Sequence, residues 1–213
     1  MSKNIVIVDY GHGNLFSIVQ ACHFLGYSTT LSSNPHLILG ASNLILPGVG
    51  SFEIAMKKLQ QYDLIETLAK FVKSGKPIMG VCLGMQLLFD ESSEFGKHTG
   101  LGFIKGKVIK FPEIVNNQKI RIPHIGWNTI YKSELDWLAT PLVNTNNESL
   151  MYFVHSYYVK PDSNDNILTY SNYSGFEFCS SVKKDNIFGF QFHPEKSGKE
   201  GLCIYDNFLK IKI

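Results

Sequence analysis

The sequence lacks a strong excess of charge and lacks any long hydrophobic run. Its 213 residues carry 20 Lys and Arg against 18 Asp and Glu, and the basic residues are scattered rather than clustered. A net charge of +2 favours neither nucleic acid nor a membrane surface as a partner. No apolar run approaches the ~20 residues that a membrane span requires. The composition therefore predicts a globular protein that binds neither nucleic acid nor membrane.

Cysteine is also scarce, and its spacing excludes the usual cysteine-based frameworks. Cys22, Cys82, Cys179 and Cys203 lie far apart, and no two of them have CxxC spacing. This spacing argues against a zinc site and against a disulfide framework, and it favours a reducing compartment. The first residues lead straight into an apolar stretch without the pattern of a cleavable signal. We therefore expect a cytoplasmic protein with no metal and no cofactor.

The order of apolar stretches predicts the fold class. Before residue 90, strand-like and helical patterns alternate, which indicates parallel strands covered by helices. The predicted strands there are 4–9, 28–31, 43–46 and 77–81, with helices at 15–25 and 83–89. Later stretches predict mostly antiparallel strands at 103–111, 151–156, 167–171, 176–182 and 187–192, before a closing helix at 199–208. Without a linker or repeat, residues 1–213 predict one α/β domain with a central mixed, mostly parallel sheet flanked by helices.

A candidate nucleophile lies between a predicted strand and a predicted helix. Cys82 has Gly80 two residues before it and Gly84 two residues after it. Small neighbours of this kind are typical of a nucleophile elbow, where the backbone is strained and crowded. The helix that follows favours the thiolate, and the Leu83 amide is placed to stabilise an oxyanion. The alternative is that Cys82 is a small buried apolar residue, as most free cysteines are.

A candidate base ends the last apolar strand. His193 stands in Phe-His-Pro-Glu, and the ends of strands carry the chemistry in open α/β sheets. Glu195 is close enough in sequence to accept the second ring N–H, which would fix the tautomer and stabilise the imidazolium. The alternative is a solvated loop histidine with an unrelated acidic neighbour.

These two motifs together resemble those of a known family. Gly-Val-Cys-Leu-Gly-Met-Gln at 80–86 and Phe-His-Pro-Glu at 192–195 closely resemble the class I, or triad, glutamine amidotransferases. The resemblance implies a central, mostly parallel sheet flanked by helices. It also implies glutamine as the substrate, a glutamyl thioester on Cys82, release of ammonia and hydrolysis to glutamate, with His193 and Glu195 as the other members of the triad.

Four further motifs resemble one subfamily, the glutaminase subunits of imidazole glycerol phosphate synthase. They lie at 9–15 (DYGHGNL), 46–52 (LPGVGSF), 123–128 (PHIGWN) and 152–157 (YFVHSY). The resemblance implies a heterodimer with a (βα)8-barrel cyclase that receives ammonia through an internal channel. A channel has a physical reason, because ammonia in neutral water is mostly protonated and ammonium is not a nucleophile.

The same motifs supply further candidate residues. Two glycines in the 46–52 motif allow backbone amides to approach the substrate, so Gly48, Val49 and Leu83 are the candidate oxyanion hole. The alternative for this segment is an ordinary turn. The resemblance implies that glutamine is held by Gln86, Glu94, Ser156 and Tyr157, although each of these alone is more often a surface polar residue.

Partner contacts are implied for Asn14, Trp127 and Lys196. The alternative for Trp127 is that its side chain is buried in the core. Gly11-His12-Gly13 is also reminiscent of dinucleotide binding, but Phe16 occupies the third glycine position, and no acidic residue ends the second strand.

Three alternatives remain for the function as a whole. One is a paralogous subunit that supplies ammonia to a sugar-modifying synthetase of surface polysaccharide biosynthesis. Another is a stand-alone cysteine hydrolase that acts on γ-glutamyl bonds. The third is a non-catalytic binding protein with a degenerate site, which the intact Cys82, His193 and Glu195 argue against.

Overall fold

The computed structural model describes residues 3–11 and 13–211. His12 of the 9–15 motif and both ends of the predicted 1–213 domain lie outside the described residues. The elements up to residue 87 are β1 (Ile5–Val8), α1 (Leu15–Phe24), β2 (Thr29–Ser32), α2 (Pro35–Gly40), β3 (Asn43–Leu46), α3 (Phe52–Gln61), α4 (Leu64–Lys73), β4 (Ile78–Val81) and α5 (Leu83–Leu87).

The second half consists mainly of strands. They are β5 (Phe89–Ser92), β6 (His98–Thr99), β7 (Ile104–Lys110), β8 (Ile114–Val115), β9 (Gln118–Lys119), β10 (His124–Thr129), β11 (Tyr131–Lys132), β12 (Leu150–His155), β13 (Tyr157–Pro161), β14 (Ile167–Tyr173), β15 (Phe176–Lys184) and β16 (Ile187–Phe190). Helix α6 (Gly198–Lys210) closes the chain, and 3-10 turns lie at Asn164–Asn166 and Pro194–Lys196.

One large mixed sheet organises the molecule, and this confirms the predicted fold class. Strands β2, β1, β3, β4 and β16 lie side by side and are parallel. The sheet continues through β15, β13, β7, β5 and β6, and the pairs among β13, β14, β15 and β16 are antiparallel, as expected for this half. Strands β10 and β12 form a separate antiparallel pair. The carboxyl ends of β4 and β16 are therefore neighbours.

Hydrophobic clusters cover both faces of the parallel region. Ile5 and Ile7 of β1 belong to one cluster, whereas Val6 and Val8 belong to the other. Successive side chains of a strand point to opposite faces, so a strand covered on both sides is continuously apolar. Helices α1 and α6 pack on the first face, and α3, α4 and α5 pack on the second. Among the described residues, no helix has both the length and the apolar character needed to cross a membrane.

Two of the predicted elements extend two residues too far. The helix predicted at 83–89 ends at Leu87, because the Leu88 carbonyl accepts hydrogen bonds from the amides of Phe103 and Ile104 and draws the chain into the sheet as β5. The strand predicted at 187–192 ends at Phe190, where Gln191 turns towards the interior. The sequence analysis also did not locate α2, α3, α4 or most of the short strands.

Candidate functional site

Cys82 adopts a strained backbone conformation between β4 and α5. Its φ is 55° and its ψ is −114°, a region that non-glycine residues rarely occupy and that costs about 1–3 kcal/mol. The Cys82 amide donates to the Phe190 carbonyl at 2.7 Å, and the Cys82 carbonyl accepts from the Met85 amide at 3.1 Å. These bonds on both sides maintain the strained turn. The predicted elbow is therefore present.

Steric crowding explains the glycines around the elbow. A Cβ atom on Gly84 would lie 1.9 Å from the Leu46 carbonyl oxygen, and one on Gly80 would lie 2.7 Å from the Gly84 carbonyl oxygen. A Cβ atom on Gly48 would lie 2.8 Å from the Gly84 amide nitrogen. Distances this short exclude a side chain at all three positions. The 46–52 loop thus packs directly against the elbow, as the predicted oxyanion role requires.

His193 and Glu195 form a buried pair at the end of β16. The Nδ1 atom of His193 donates to Oε1 of Glu195 at 2.8 Å, and Tyr205 donates its hydroxyl to Oε2 at 3.4 Å. The His193 amide donates to the Tyr152 carbonyl at 2.9 Å, and Ser197 Oγ donates to the His193 carbonyl at 2.7 Å. The bond to Glu195 therefore orients the imidazole ring, and the bonds to Tyr152 and Ser197 hold the His193 backbone.

Charge interactions determine the protonation state of His193. Burial disfavours the imidazolium, but interactions with Cys82 and with Glu195 outweigh it and raise the pKa of His193 to about 10. The second ring nitrogen, Nε2, is buried and has no hydrogen-bond partner among the described residues. At neutral pH His193 is therefore a cation whose Nε2 faces the Cys82 sulfur.

A cavity of about 410 Å³ opens beside Cys82 and His193. All four predicted substrate residues line it, namely Gln86, Glu94, Ser156 and Tyr157. Val49, Leu83 and Lys196 also contribute to the wall. The fold therefore gathers residues from the loop after β3 to the turn after β16 around one space, which is large enough for a free amino acid.

Two of the predicted substrate residues also make bonds within the protein. Gln86 is almost completely buried, and its Nε2 donates to the Tyr157 carbonyl at 3.1 Å and to Oε1 of Gln191 at 3.0 Å. Both amide protons are used, so the group that Gln86 can offer a ligand is its carbonyl oxygen. Glu94 Oε2 accepts from the Phe52 amide at 2.6 Å and so holds the start of α3.

The structure also reveals a cavity-lining histidine, His155, and a second histidine bonded to it, neither of which the sequence analysis assigned. His124 and His155 are buried 3.0 Å apart, joined from Nδ1 to Nε2, and His155 Nδ1 bonds to the Tyr157 carbonyl at 2.8 Å. Because that carbonyl accepts, His155 carries its proton on Nδ1 and His124 donates to it. Burial lowers the pKa of His124 to about 4 and that of His155 to about 3, so both rings are neutral. Both histidines stood in the 123–128 and 152–157 motifs, where they could have been noticed.

Asn14 and Glu195 meet on the other side of His193. A narrow crevice there is lined by both residues, together with Gly48 and Val49. Asn14 caps helix α1, with its Oδ1 accepting from the Ser17 amide at 3.5 Å. The start of α1 therefore adjoins both the imidazole and the oxyanion loop.

Trp127, Tyr152 and Lys196 form an exposed surface next to the cavity, which we call the Trp127 face. Trp127 is 56% exposed, and its ring lies edge-on to Tyr152 with centroids 6.1 Å apart. The Lys196 ammonium lies 5.8 Å from the centre of the Tyr152 ring. The core alternative for Trp127 is therefore wrong, and an exposed aromatic of this size is typical of an interface.

The described residues contain no group of three or more His, Cys, Asp or Glu that could hold a metal ion. All four cysteines are free thiols.

The chain matches known proteins over almost its whole length. Residues 6–211 match the family model described as glutamine amidotransferase class-I. The chain is 44% identical to imidazole glycerol phosphate synthase subunit HisH 1 of Legionella pneumophila (strain Lens), covering 98% of this chain and 100% of that protein. It is 42% identical to the HisH subunit of Aquifex aeolicus, covering 95% and 94% of the two chains.

Solved structures resemble the fold. A crystal structure of a glutamine amidotransferase superimposes with a TM-score of 0.72 at 18% identity, covering 96% of this chain and 97% of the other. The structure of PurLQS from Thermotoga maritima gives a TM-score of 0.72 at 19% identity, covering 98% of each chain. At these identities the likeness concerns the fold.

Proposed function

Since the chain belongs to the class-I glutamine amidotransferase family, and within it to the imidazole glycerol phosphate synthase subunits called HisH, we propose that it hydrolyses glutamine at the Cys82 cavity. The observation that carries the site assignment is the convergence of the strained Cys82 elbow with the His193–Glu195 pair on one cavity. The whole chain, 1–213, acts as a single glutaminase domain.

Each triad residue has one role in the proposed mechanism. The Cys82 sulfur attacks the side-chain carbonyl carbon of glutamine, and the His193 imidazolium gives its Nε2 proton to the departing ammonia. Glu195 keeps the other ring nitrogen protonated and stabilises the cation. Water then attacks the glutamyl thioester with His193 as base, which releases glutamate and restores the thiol.

Backbone amides stabilise the charge that develops on the substrate oxygen. We assign this role to the amides of Val49 and Leu83, with Gly48 allowing the loop to approach the elbow. The carboxylate and amino group of glutamine lie towards Gln86, Glu94, Ser156 and Tyr157 at the far side of the cavity. Glu94 supplies a charge for the amino group, while Gln86 supplies its carbonyl oxygen.

The ammonia passes to a partner subunit in this proposal. The relatives are named as subunits of imidazole glycerol phosphate synthase, so the partner proposed is a (βα)8-barrel cyclase of histidine biosynthesis, bound as a heterodimer. Lys196 lines the cavity, Trp127 belongs with it to the exposed Trp127 face, and both are proposed as contacts, together with Asn14. A cytoplasmic location fits the four free thiols.

Acid-quenched turnover tests the proposal. The chain is purified with the cyclase encoded in the same genome, mixed with glutamine, quenched with acid and digested for mass spectrometry. The expected result is a glutamyl adduct on the Cys82 peptide and none on the Cys203 peptide. A complex that makes imidazole glycerol phosphate from glutamine without any adduct at Cys82 would overturn the assignment, and binding to a sugar-modifying synthetase instead would favour the polysaccharide alternative.

A further inference from the structure

A buried amide reaches the sulfur of Cys82 from behind the cavity. Gln191 is the first residue after β16, and its side chain is completely buried. Its Nε2 lies 3.9 Å from Cys82 Sγ, and its Oε1 accepts from Gln86 Nε2 at 3.0 Å. Gln86 Nε2 also donates to the Tyr157 carbonyl at 3.1 Å. A continuous row of hydrogen bonds therefore joins the Tyr157 carbonyl to the nucleophile.

The direction of this row is fixed by its first member. A backbone carbonyl can only accept, so Gln86 must present its NH2 group, not its oxygen, to Tyr157. Gln86 then gives its second proton to Gln191, which must present its oxygen in return. The NH2 group of Gln191 is thereby forced to face Cys82. Flipping Gln86 would place its oxygen against the Tyr157 carbonyl, and flipping Gln191 would place its NH2 group against that of Gln86, and both are costly in a buried site.

The two neighbours of the sulfur favour different protonation states. The Val154 carbonyl lies 3.8 Å from Sγ and can accept a hydrogen bond from the S–H group, so it stabilises the neutral thiol. An N–H from Gln191 can donate to the sulfur in either state and binds the anion more strongly. Because Gln191 is buried, it reaches the sulfur without touching a glutamine in the cavity.

We propose that Gln191 is a positioning residue, whose side-chain N–H holds the Cys82 sulfur in place and favours its thiolate form. This inference rests on the proposed glutaminase function of the same site. The other titratable groups around Cys82 are Tyr10, Glu94, His155, Tyr157, His193 and Lys196.

Gln191→Met tests the proposal, because it keeps the length of the side chain and removes the amide. The rate of iodoacetamide alkylation at Cys82 is followed against pH by mass spectrometry of the Cys82 peptide. We expect the half-maximal pH to rise by about one unit, the scale of one hydrogen bond to a charged group. For the complex with its partner, kcat should fall about tenfold. KM should rise as well in Gln191→Met, because this variant also removes the acceptor for Gln86.

Gln191→Glu and Asn43→Leu complete the comparison. Gln191→Glu keeps an acceptor for Gln86 but turns a carboxylate towards the sulfur. The half-maximal pH of alkylation should therefore rise more in Gln191→Glu than in Gln191→Met. Asn43 is a buried amide on β3 that donates to the Phe208 carbonyl at 3.0 Å. Asn43→Leu should therefore lower the melting temperature and leave the alkylation profile where it is.

A measurement on the unaltered protein covers the case in which Gln191→Met does not fold. The side-chain NH2 resonances of Gln191 should shift with pH at the same midpoint as the alkylation rate. Resonances that stay constant through that midpoint, or a Gln191→Met profile that superimposes on that of the wild type, would overturn the proposal. Alkylation needs no glutamine, so a failure here is distinct from a failure of the proposed function, which would appear as a wild-type complex without glutaminase activity.

Discussion

The Nδ1 atom of His193 lies 2.8 Å from Oε1 of Glu195, and both side chains are shielded from solvent. They are two positions apart in sequence, and the Pro194–Lys196 turn brings the carboxylate back to the ring. Tyr205 on α6 donates to the other carboxylate oxygen, so Glu195 is held by a second element as well. Glu195 therefore acts on His193 and does not face the cavity.

This geometry predicts a rank of effects within the triad. Glu195→Ala should reduce kcat less than His193→Ala, because Glu195 orients the base and does not exchange a proton with the substrate. In one triad protease the corresponding losses are about 3 × 10⁴ for the acid and about 2 × 10⁶ for the base. Steady-state glutaminase assays on the assembled complex measure both. Glu113→Ala, at an exposed carboxylate paired with Lys110, is the control and should match the wild type. Equal losses for the two triad variants, with folding intact, would contradict the assignment.

A second prediction concerns the titration of His193. The ring proton signals of His193 should titrate near pH 10 in the free protein, because Cys82 and Glu195 stabilise the cation. In Glu195→Gln one of these interactions is lost, so the titration should move towards the ordinary value of about 6.5. NMR of histidine-labelled protein measures both values. A wild-type midpoint near 6.5 would show that the pair does not hold the proton.

The same shift makes stability depend on pH in one direction. The pKa is raised in the folded state, so folding binds a proton between about pH 6.5 and 10. The contribution of His193 to the free energy of unfolding is complete below about pH 6.5 and is lost as the pH rises towards 10. Urea titrations of the wild type and of His193→Gln at pH 6.5 and pH 10 should show their difference decreasing with pH.

A third prediction separates glutamine hydrolysis from synthesis. Cys82→Ala should abolish glutamine-dependent synthesis by the complex but leave ammonia-dependent synthesis largely intact, because the acceptor reacts in the partner. The measurement compares product formation from glutamine with that from ammonium salts at high pH. Cys203→Ala, at a partly exposed free thiol on α6, is the control and should retain both activities. Loss of the ammonia-dependent reaction in Cys82→Ala would contradict the division into two sites.

A fourth prediction concerns the Trp127 face. Trp127→Ala should leave the melting temperature of the isolated chain unchanged, because the indole is mostly exposed. It should weaken binding to the cyclase by about 10- to 100-fold, the effect of a typical aromatic hot spot. Calorimetric titration of the two subunits measures this affinity. Leu37→Ala, at an exposed apolar side chain on α2, is the control and should bind as the wild type does.

Sequence was sufficient where local chemistry decides the structure. The Gly80–Cys82–Gly84 spacing predicted the elbow, because only glycine fits where backbone atoms approach within 3 Å. Strands β1, β3 and β4 were recognisable because burial on both faces makes them continuously apolar. The Phe192–Glu195 motif predicted the buried pair, because the two side chains are neighbours along the chain.

Residues that act through distant contacts were not predictable in this way. The bond between Gln191 and Cys82 spans 109 positions, and nothing near Gln191 indicates its partner. His124 and His155 face each other because β10 pairs with β12, a register that one sequence does not define. Strand β5 replaced the last turn of a predicted helix because of hydrogen bonds to Phe103 and Ile104, which local propensity does not include.

The last prediction is that the isolated chain hydrolyses glutamine poorly and that the partner with bound acceptor activates it. Hydrolysis without an acceptor wastes glutamine, so one element near Cys82 should have two states. The Gly48–Gly50 segment is the candidate. Val49 is partly exposed and has glycine on both sides, so the Val49 amide can turn towards the substrate oxygen or away from it at little steric cost.

The expected activation is about 10² to 10³ in kcat, because that is the usual effect of one oxyanion donor. The measurement compares glutamine hydrolysis by the chain alone, by the complex and by the complex with acceptor. Gly50→Ala strains the φ of +90° and should reduce the activation, whereas Gly75→Ala, at a φ of +80° in the turn after α4, should not. Asn14, a proposed partner contact, lines the same crevice as Gly48 and Val49 and is the proposed route from the partner to this loop. Equal rates in all three states would exclude the switch and favour a stand-alone hydrolase.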